Sequence, residues 1–529
     1  MLKEYIVSLN RGVDYDRFWD EIENISQDDG FVPARRVDIV NNRDGSTRSC
    51  HYALTDQEAD TLRNDPRIFS VEIPPDQRPE IVIGKRGFQG GNFNKTNTSS
   101  GDFINWGLIR GNYINNIYGT GVSTSENYKY LLDGTGVDVV IQDSGIEVNH
   151  PEFRDEFGNS RVQQINWYTE SGIAGTQNDN HYRDFDGHGT HVAAIAVGRT
   201  FGWAKNARIY SLKIRGLEGA GDTNTGIILA DAFDVIKLWH RNKPVDPRTG
   251  FKRPTIVNMS WGYFYTYRQV NINSVTYRGV THSDSDTLTN AAYRWENYGL
   301  IPLTDGTFYY TNVRVGSADS DVQEMIDEGI HICIAAGNQY HKIDVPGGDD
   351  YDNIITVSGS PNQYHRGSSP FDDEAFKVGN LDSSVVSANL EHKAFTSENG
   401  PGVDLYAAGA NILSACSNTN EFGAVTYSKD SGFKQVLLTG TSQASPQVCG
   451  LAALYLQMNP GAKPDQVKKW LINKSTVGNM YTTVSNVAYT DLLSLNGGSN
   501  RMLFNPFGIS EQVLSNDLTI TDGAVTLIK

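Results

Sequence analysis

Cysteine is scarce in this chain: four in 529 residues, at Cys50, Cys333, Cys416 and Cys449, with no CxxC pair among them. That excludes a disulfide framework and a thiolate metal site of the usual spacing. Cys333 and Cys449 sit in apolar runs and read as inert core thiols. Long apolar runs are missing too; none approaches ~18 residues, which excludes a membrane-spanning helix. Positive charge is the minority sign, with 45 Lys and Arg against 62 Asp and Glu and a net charge of −17. Nucleic acid is therefore not an expected partner, nor is a membrane. The opening run Met1 to Leu9 lacks the apolar core and cleavage site of a secretory leader. The expected location is a reducing interior, or an assembly or medium reached by lysis or a non-standard route. The sequons at Asn94 and Asn97 then carry little weight.

What is present is an ordinary globular composition, 38% hydrophobic and 10% aromatic with 52 glycines, and a length that implies two or three domains. Residues 1–76 read as a small α+β unit. Tyr5 to Leu9 is strand-like, Phe18, Trp19, Ile22 and Ile25 share a helical face, and Val37 to Val40 and Ser49 to Leu54 are extended. Thr55 and Glu58 form a capping box, and Ile68 to Ile73 closes the unit. This βαββαβ order predicts a ferredoxin-like sandwich. Residues 77–104 are rich in Gly, Asn, Ser and Thr, which is linker chemistry and a natural place for proteolysis.

From residue 105 to 508 the pattern is that of a large α/β domain with a mostly parallel sheet. Val137 to Ile141, Arg208 to Ile214, Thr255 to Met259, Ile330 to Ala335, Ile354 to Ser358 and Val403 to Ala408 are strand-like runs. A helix is expected near Asp321 to Glu328, and another over Pro464 to Lys474. Residues of about 263–320 are polar and aromatic and read as an insertion rather than core. In the tail, residues 509–529, the run Leu518 to Ile528 alternates around Asp522-Gly523 and predicts a hairpin.

Four residues stand in unusual settings. Asp143 follows a central strand, where open α/β sheets place their sites. His188 and Ser442 each stand at the mouth of a buried small-residue helix, and Asn338 follows another apolar strand. Singly, each reads as a cap or turn residue. Together, in the order Asp143, His188, Asn338, Ser442, they match an acid–base–nucleophile set with an oxyanion donor. Zinc is not expected: His188 and His191 are three apart, and no glutamate follows His188.

The stretches Val139 to Ile146, Gly187-His188-Gly189-Thr190-His191-Val192-Ala193, Ala335-Ala336-Gly337-Asn338 and Gly440-Thr441-Ser442-Gln443-Ala444-Ser445-Pro446 resemble the subtilisin-like serine proteases. The resemblance covers residues 105–508. Residues 5–76 resemble that family's inhibitory propeptide. It implies a subtilisin-like three-layer fold, serine endopeptidase activity on protein and peptide substrates, and synthesis as a self-inhibited zymogen with the N-terminal unit as intramolecular inhibitor. It casts Ser442 as nucleophile, His188 as base, Asp143 as its orienting acid and Asn338 as oxyanion donor. Gly219, Ala220, Gly221 and Ser260, Trp261, Gly262 become edges that pair with substrate backbone. The short Gly198 to Ala204 turn, which lacks a calcium-loop insertion, and Asn500 to Asn505 resemble the proteinase K branch. No cofactor is required by this reading; calcium is considered only at the acidic loop Gly348 to Asp352. Gln443 and Gln447 depart from the Met and His usual in the family. The alternative is a catalytically silent or latent protein that keeps the fold as a binding component of an assembly.

Overall fold

The computed structural model describes residues 1–23, 35–43, 45–78, 81–85, 88–89, 105–116, 128, 130–178, 180–268, 271–283, 298–300, 308–387, 390–482, 493–508, 518–521 and 524–527. Ile25, Asn94 and Asn97 lie outside them. The N-terminal unit runs β1 (Lys3–Leu9), α1 (Tyr15–Glu23), β2 (Asp38–Asn41), β3 (Ser49–Leu54), α2 (Asp56–Arg63) and β4 (Ile68–Glu72), in the antiparallel order β2-β3-β1-β4. Thr55 and Glu58 make the expected capping box at the start of α2. On β1, Tyr5, Val7 and Leu9 pack with Phe18, Trp19, Ile22 and Leu62 under the helices. Ile6 and Ser8, which alternation turns to the opposite face, are buried as well. A sheet buried on both faces needs a second cover, and the rest of the chain supplies it.

After β5 (Ile81–Lys85), β6 (Phe88–Gln89) and α3 (Trp106–Gly111), the chain enters its main domain. There follow β7 (Asp138–Asp143), β8 (Val162–Gln163), α4 (Trp167–Ser171), α5 (His188–Val197), β9 (Arg208–Lys213), α6 (Leu229–Asn242) and β10 (Thr255–Met259). Next are β11 (Trp261–Arg268), β12 (Ile272–Tyr277), β13 (Val280–His282), β14 (Phe308–Asn312), α7 (Gly316–Asp327) and β15 (His331–Ala335). Then come β16 (Ile354–Val357), β17 (Ser360–Gln363), β18 (Phe376–Ser387), β19 (Leu390–Lys393), β20 (Leu405–Ala408), β21 (Ile412–Cys416), β22 (Val425–Thr426) and β23 (Lys434–Thr439). The chain closes with α8 (Thr441–Met458), α9 (Pro464–Lys474), β24 (Thr476–Val477), β25 (Arg501–Met502) and the antiparallel pair β26 (Leu518–Thr521) and β27 (Ala524–Leu527).

The main sheet has the order β24-β25-β20-β18-β15-β10-β7-β9-β8, and its strands from β25 to β8 run parallel. One face is covered by α5 and α8, whose Val192, Ala196, Val448 and Leu451 pack on Val139, Ile141 and Ile209. On the other face α6 and α7 pack Phe233, Ile236, Val322 and Met325 on Val140, Val257 and Ile332. From β7 the chain adds β9 and β8 on one side and then β10 on the other, so the winding reverses between β7 and β10. Ligands of open α/β sheets bind at the carboxyl ends of strands at such a point.

The N-terminal sheet docks on α6 and α7. Arg43, 2% exposed, donates through Nε to Asp234 Oδ2 at 2.7 Å and through Nη2 to Asp321 Oδ1 at 2.9 Å. Ser46 Oγ donates to Glu324 at 3.1 Å, and Glu72 accepts the Ser317 N–H near the start of α7. Lys237 neutralises Asp234 and Glu324 from the other side. The carboxylates of Asp234, Asp321 and Glu324, close enough to share a metal ion, are thus held by protein cations.

Two expectations need correction. Ile354 to Val357 lies outside the main sheet, in a side sheet of order β13-β12-β16-β17. The span of about 263–320, expected to be an insertion rather than core, contributes to the core through its described residues: Tyr263, Val315 and Ala318 belong to the main core, and Tyr267, Ile272 and Val275 build a second cluster with Ile355, Val357 and Tyr364. Tyrosine-rich strands score as polar by composition but bury their rings. The helix expected from Asp321 begins at Gly316, and β18 has no counterpart in the sequence reading.

Candidate active site

Strands β7, β10 and β15 end side by side at the point where the winding reverses. The end of β7 delivers Asp143, whose Oδ1 accepts from Ser144 N at 2.7 Å and from His188 Nδ1 at 2.9 Å. Both side chains are fully buried. Because a carboxylate only accepts, Nδ1 carries a proton, and in the neutral imidazole this leaves the lone pair on Nε2. Nε2 is buried and has no hydrogen-bond partner among the described residues.

The loop before α5 is held by Asp184, which sequence reading did not single out. Its Oδ1 accepts from Ser144 Oγ at 2.9 Å and Gly187 N at 2.8 Å. Its Oδ2 accepts from Thr190 N at 3.0 Å and Thr190 Oγ1 at 2.6 Å. Asp184 therefore ties the turn after Asp143 to the first turn of the helix that carries His188. At Gly189 a Cβ would stand 2.2 Å from the Gly145 carbonyl, so only glycine lets the two turns meet. The available signal was a second acid, beyond Asp186, upstream of the Gly-His-Gly-Thr-His run, with no spacing rule to mark it.

Ser442 is the second residue of α8. Pro446 lies in the same helix and has no N–H, so the carbonyl four residues earlier, that of Ser442, loses its helical donor. Ser260 Oγ fills that role at 3.0 Å, and Ser442 Oγ donates in return to the Ser260 carbonyl at 3.0 Å. Asn258 joins the two elements, donating to Ser260 Oγ at 2.8 Å and accepting from Ser445 Oγ at 2.9 Å. The nucleophile candidate is thus locked to the end of β10, and its hydroxyl proton is directed at Ser260 rather than at His188.

Asn338 follows β15. Its Oδ1 accepts from Thr441 N at 2.9 Å and from Thr441 Oγ1 at 3.2 Å. With the oxygen end of the amide tied to the first turn of α8, Nδ2 is the end that can donate to a developing oxyanion beside Ser442. Asp143, His188, Ser260, Asn338 and Ser442 therefore share one edge of the sheet.

The proposed substrate edges fare differently. Trp261 and Gly262 pair antiparallel with the chain's own Lys85 and Gly84. Gly219, Ala220 and Gly221 form a turn in which Asp222 N–H donates to the Gly219 carbonyl and Ala220 N–H to Glu421. No strand among the described residues pairs with them.

Gln447 is fully engaged: Oε1 accepts from Trp203 Nε1 at 2.6 Å and Asn105 Nδ2 at 2.8 Å, and Nε2 donates to Asn105 Oδ1 and Ala408 O. Gln443 is the opposite case. Both ends of its buried amide lack a hydrogen-bond partner among the described residues. Burial pushes His191 down to about 3, and its Nε2 lies 3.1 Å from the carbonyls of Ile412 and Val436. It is a neutral donor inside the core, not a metal ligand.

The acidic loop Gly348 to Asp352 does not fit calcium. Asp350 is buried and accepts from Arg278 at 2.7 Å and 2.9 Å and from Lys342 at 2.8 Å. Burial alone would raise its pKa, but these cations hold the carboxyl well below the usual range. Asp352 is paired with Arg366. In the short turn after α5, the carbonyls of Arg199 and Gly202 converge on Lys205 Nζ at 2.9 Å and 2.7 Å, so the lysine amine already fills that cluster of oxygens. A cavity of about 460 Å³ lies apart from Asp143, His188 and Ser442, between the N-terminal unit and α6, lined by Ile6, Arg43, Ile81, Leu229, Phe233 and Tyr263.

A model of the subtilase family matches residues 134–503. Among curated proteins, the chain is 25% identical over 434 residues to alkaline serine exoprotease A of Vibrio alginolyticus, covering 82% of this chain and 56% of that protein. It is 25% identical over 416 residues to subtilisin-like protease 5 of Arthroderma otae, covering 77% and 70%. The chain thus spans little more than half of the first relative. Among solved structures it is similar to a cold adapted subtilisin-like serine proteinase, with 23% identity, a TM-score of 0.43, and coverage of 76% of this chain and 97% of that one. Fervidolysin from Fervidobacterium pennivorans gives 17% identity, a TM-score of 0.47, and coverage of 94% and 60%.

Proposed function

The chain belongs to the subtilase family, and from that premise we propose that it is a serine endopeptidase working through Asp143, His188 and Ser442. The observation that carries this reading is the buried Asp143–His188 hydrogen bond of 2.9 Å at the winding reversal, on the same sheet edge as the first turn of α8. Asp143 fixes the imidazole so that Nε2 can take a proton. The Ser442 hydroxyl turns from the Ser260 carbonyl to Nε2 and attacks the peptide carbonyl. Asn338 Nδ2 and the Ser442 N–H receive the oxyanion, the asparagine alone worth about 3–4 kcal/mol of barrier. His188 then passes the proton to the leaving amine, and water releases the acyl group by the same route. Gln443 and Gln447 lie outside these steps.

We further propose that the chain is made latent, with residues 1–76 as inhibitor, residues 77–104 as processing region, residues 105–508 as the peptidase and residues 509–529 as a terminal hairpin. Two observations support latency: Ser442 is fully buried, and β5 already occupies the Trp261–Gly262 edge. The partners in this reading are protein or peptide substrates and the chain's own N-terminal unit. Among the described residues no helix is long and apolar enough to cross a membrane.

The test is to incubate the full chain beside Ser442→Ala and follow fluorophosphonate labelling and self-cleavage within residues 77–104. Ser442-dependent labelling after cleavage is expected. A protein that is neither labelled nor cleaved, even with the N-terminal unit removed, is a silent binding protein on a subtilase scaffold.

A further inference from the structure

The cavity of about 460 Å³ between the N-terminal unit and the main domain is built from both. β1 contributes Ile6, β3 contributes His51, and the turn after β2 contributes Arg43. Ile81 of β5, Phe233 of α6 and Tyr263 of β11 complete apolar walls around them. Asp76 and Arg215, which also line the space, are exposed, so it opens to solvent. A space of this size and lining is typical of a small-molecule site.

Two of the lining side chains, Arg43 at 2% exposure and His51 at 5%, are buried yet incompletely paired. Arg43 uses Nε and Nη2 on Asp234, Asp321 and the Ala230 carbonyl. That leaves Nη1 with no partner among the described residues. His51 Nδ1 lies 2.6 Å from Glu4 Oε1, and because the carboxylate only accepts, Nδ1 carries a proton. Burial, helped by the Arg43 charge, holds the ring below the ordinary histidine range against the pull of Glu4. The imidazole is therefore neutral, and Nε2 is an acceptor. It too has no partner among the described residues. Buried polar atoms are nearly always paired, so the wall offers one unmet donor and one unmet acceptor to whatever fills the cavity.

Charge narrows the class of ligand. Glu4, Asp76 and Asp321 line the cavity with Arg43 and Arg215, and Arg43 is already paired with Asp234 and Asp321. A carboxylate would gain one donor but face three carboxyl groups. An ammonium would face Arg43 with no acceptor to offer it. An amide carries both complementary groups and no charge. We propose that this cavity is a binding site for a small neutral amide with an apolar body, its oxygen accepting from Arg43 Nη1 and its N–H donating to His51 Nε2. Because the ligand is held by the N-terminal unit on one side and α6 on the other, its binding favours the docked arrangement of the two. Asp143, His188 and Ser442 take no part, so the site is independent of the serine-protease reading.

The test is calorimetric titration of the full chain with hydrocinnamamide, hydrocinnamate and benzylacetone, in which an amide, a carboxylate and a methyl ketone end the same apolar body. Saturable binding of the amide is expected. It should be about 10-fold tighter than that of the ketone, which cannot donate to His51, and than that of the carboxylate. His51→Leu is expected to level the amide and the ketone. Leu229→Trp, which fills the cavity from α6, is expected to abolish binding of both. Bound amide should slow hydrogen exchange in β1 and α6 together. No saturable binding, or an amide no tighter than the ketone or the carboxylate, marks a cavity that holds only water and overturns the proposal. Protection of one unit alone overturns the docking effect. If His51→Leu does not fold, Leu229→Trp and the wild-type ranking decide.

Discussion

At the scale of single residues, the two glutamines of α8 show how the same substitution type can be absorbed or tolerated at a cost. Gln447 makes four hydrogen bonds, to Asn105, Trp203 and Ala408, whereas Gln443 buries an amide that no described residue satisfies. Gln443→Met is therefore expected to stabilise the fold by about 1–3 kcal/mol, read as a higher urea midpoint with unchanged slope. The opposite sign is expected for Gln447→Met, which strands the Trp203 and Asn105 groups. Asn338→Ala is expected to lower kcat about 10²–10³-fold with little change in KM, because its amide acts on charge that exists only in the transition state. Equal losses in kcat and 1/KM would instead mark Asn338 as a scaffold for Thr441.

At the scale of elements, the site is precise because strand ends and helix starts are pinned to each other. Asp184 joins the end of β7 to the start of α5, and Ser260 joins the end of β10 to α8. Asp184→Asn exchanges an acceptor for a donor that faces the Thr190 N–H, and a loss of about 2–3 kcal/mol is expected in chemical denaturation. A variant of wild-type stability would show that the Asp184 network is slack. The helices and buried strands were legible because their apolar runs and caps are local: the Thr55–Glu58 box, the α9 start at Pro464 and the β7 run all stand where the pattern put them. The side sheet was misplaced because Ile354 to Val357 reads the same in any sheet, and partner choice is not a local property. Asp184 went unread for the same reason: its partners lie before and after it on separate turns.

At the scale of the whole molecule, the N-terminal sheet and the main domain share buried charge. Removing Arg43 leaves Asp234 and Asp321 with Lys237 as the remaining buried cation of the cluster. Arg43→Ala is expected to cost about 3–5 kcal/mol and to separate the unfolding of the N-terminal unit from that of the main domain in calorimetry. A single unchanged transition would count against this coupling. Acid lability is a second global property. Burial pushes His191, His240 and His331 down to about 3, so they are neutral in the fold. The unfolded chain binds their protons from pH ~6.5 downward, so between there and about pH 3 it holds more protons than the native state, and stability falls as pH falls. Each histidine withdraws about 2 kcal/mol by pH 5, and the denaturant midpoint is expected to drop steadily from pH 7 to 5. Chelation should do nothing comparable: EDTA is expected to leave the Tm unchanged, because Lys205, Arg278 and Lys342 already occupy the oxygen clusters at the turn after α5 and the acidic loop.

By itself the sequence determined the family, the four candidate residues and the order of the elements that carry them, because each is written in a short run of neighbours whose packing leaves little choice. Only the tertiary structure decided that Asp143 reaches His188, that the Ser442 hydroxyl rests on Ser260, and that Arg43 reaches Asp234 and Asp321. Those are contacts between residues far apart in the chain, set by strand register and by which carbonyl a missing proline N–H leaves open, and no local pattern encodes them.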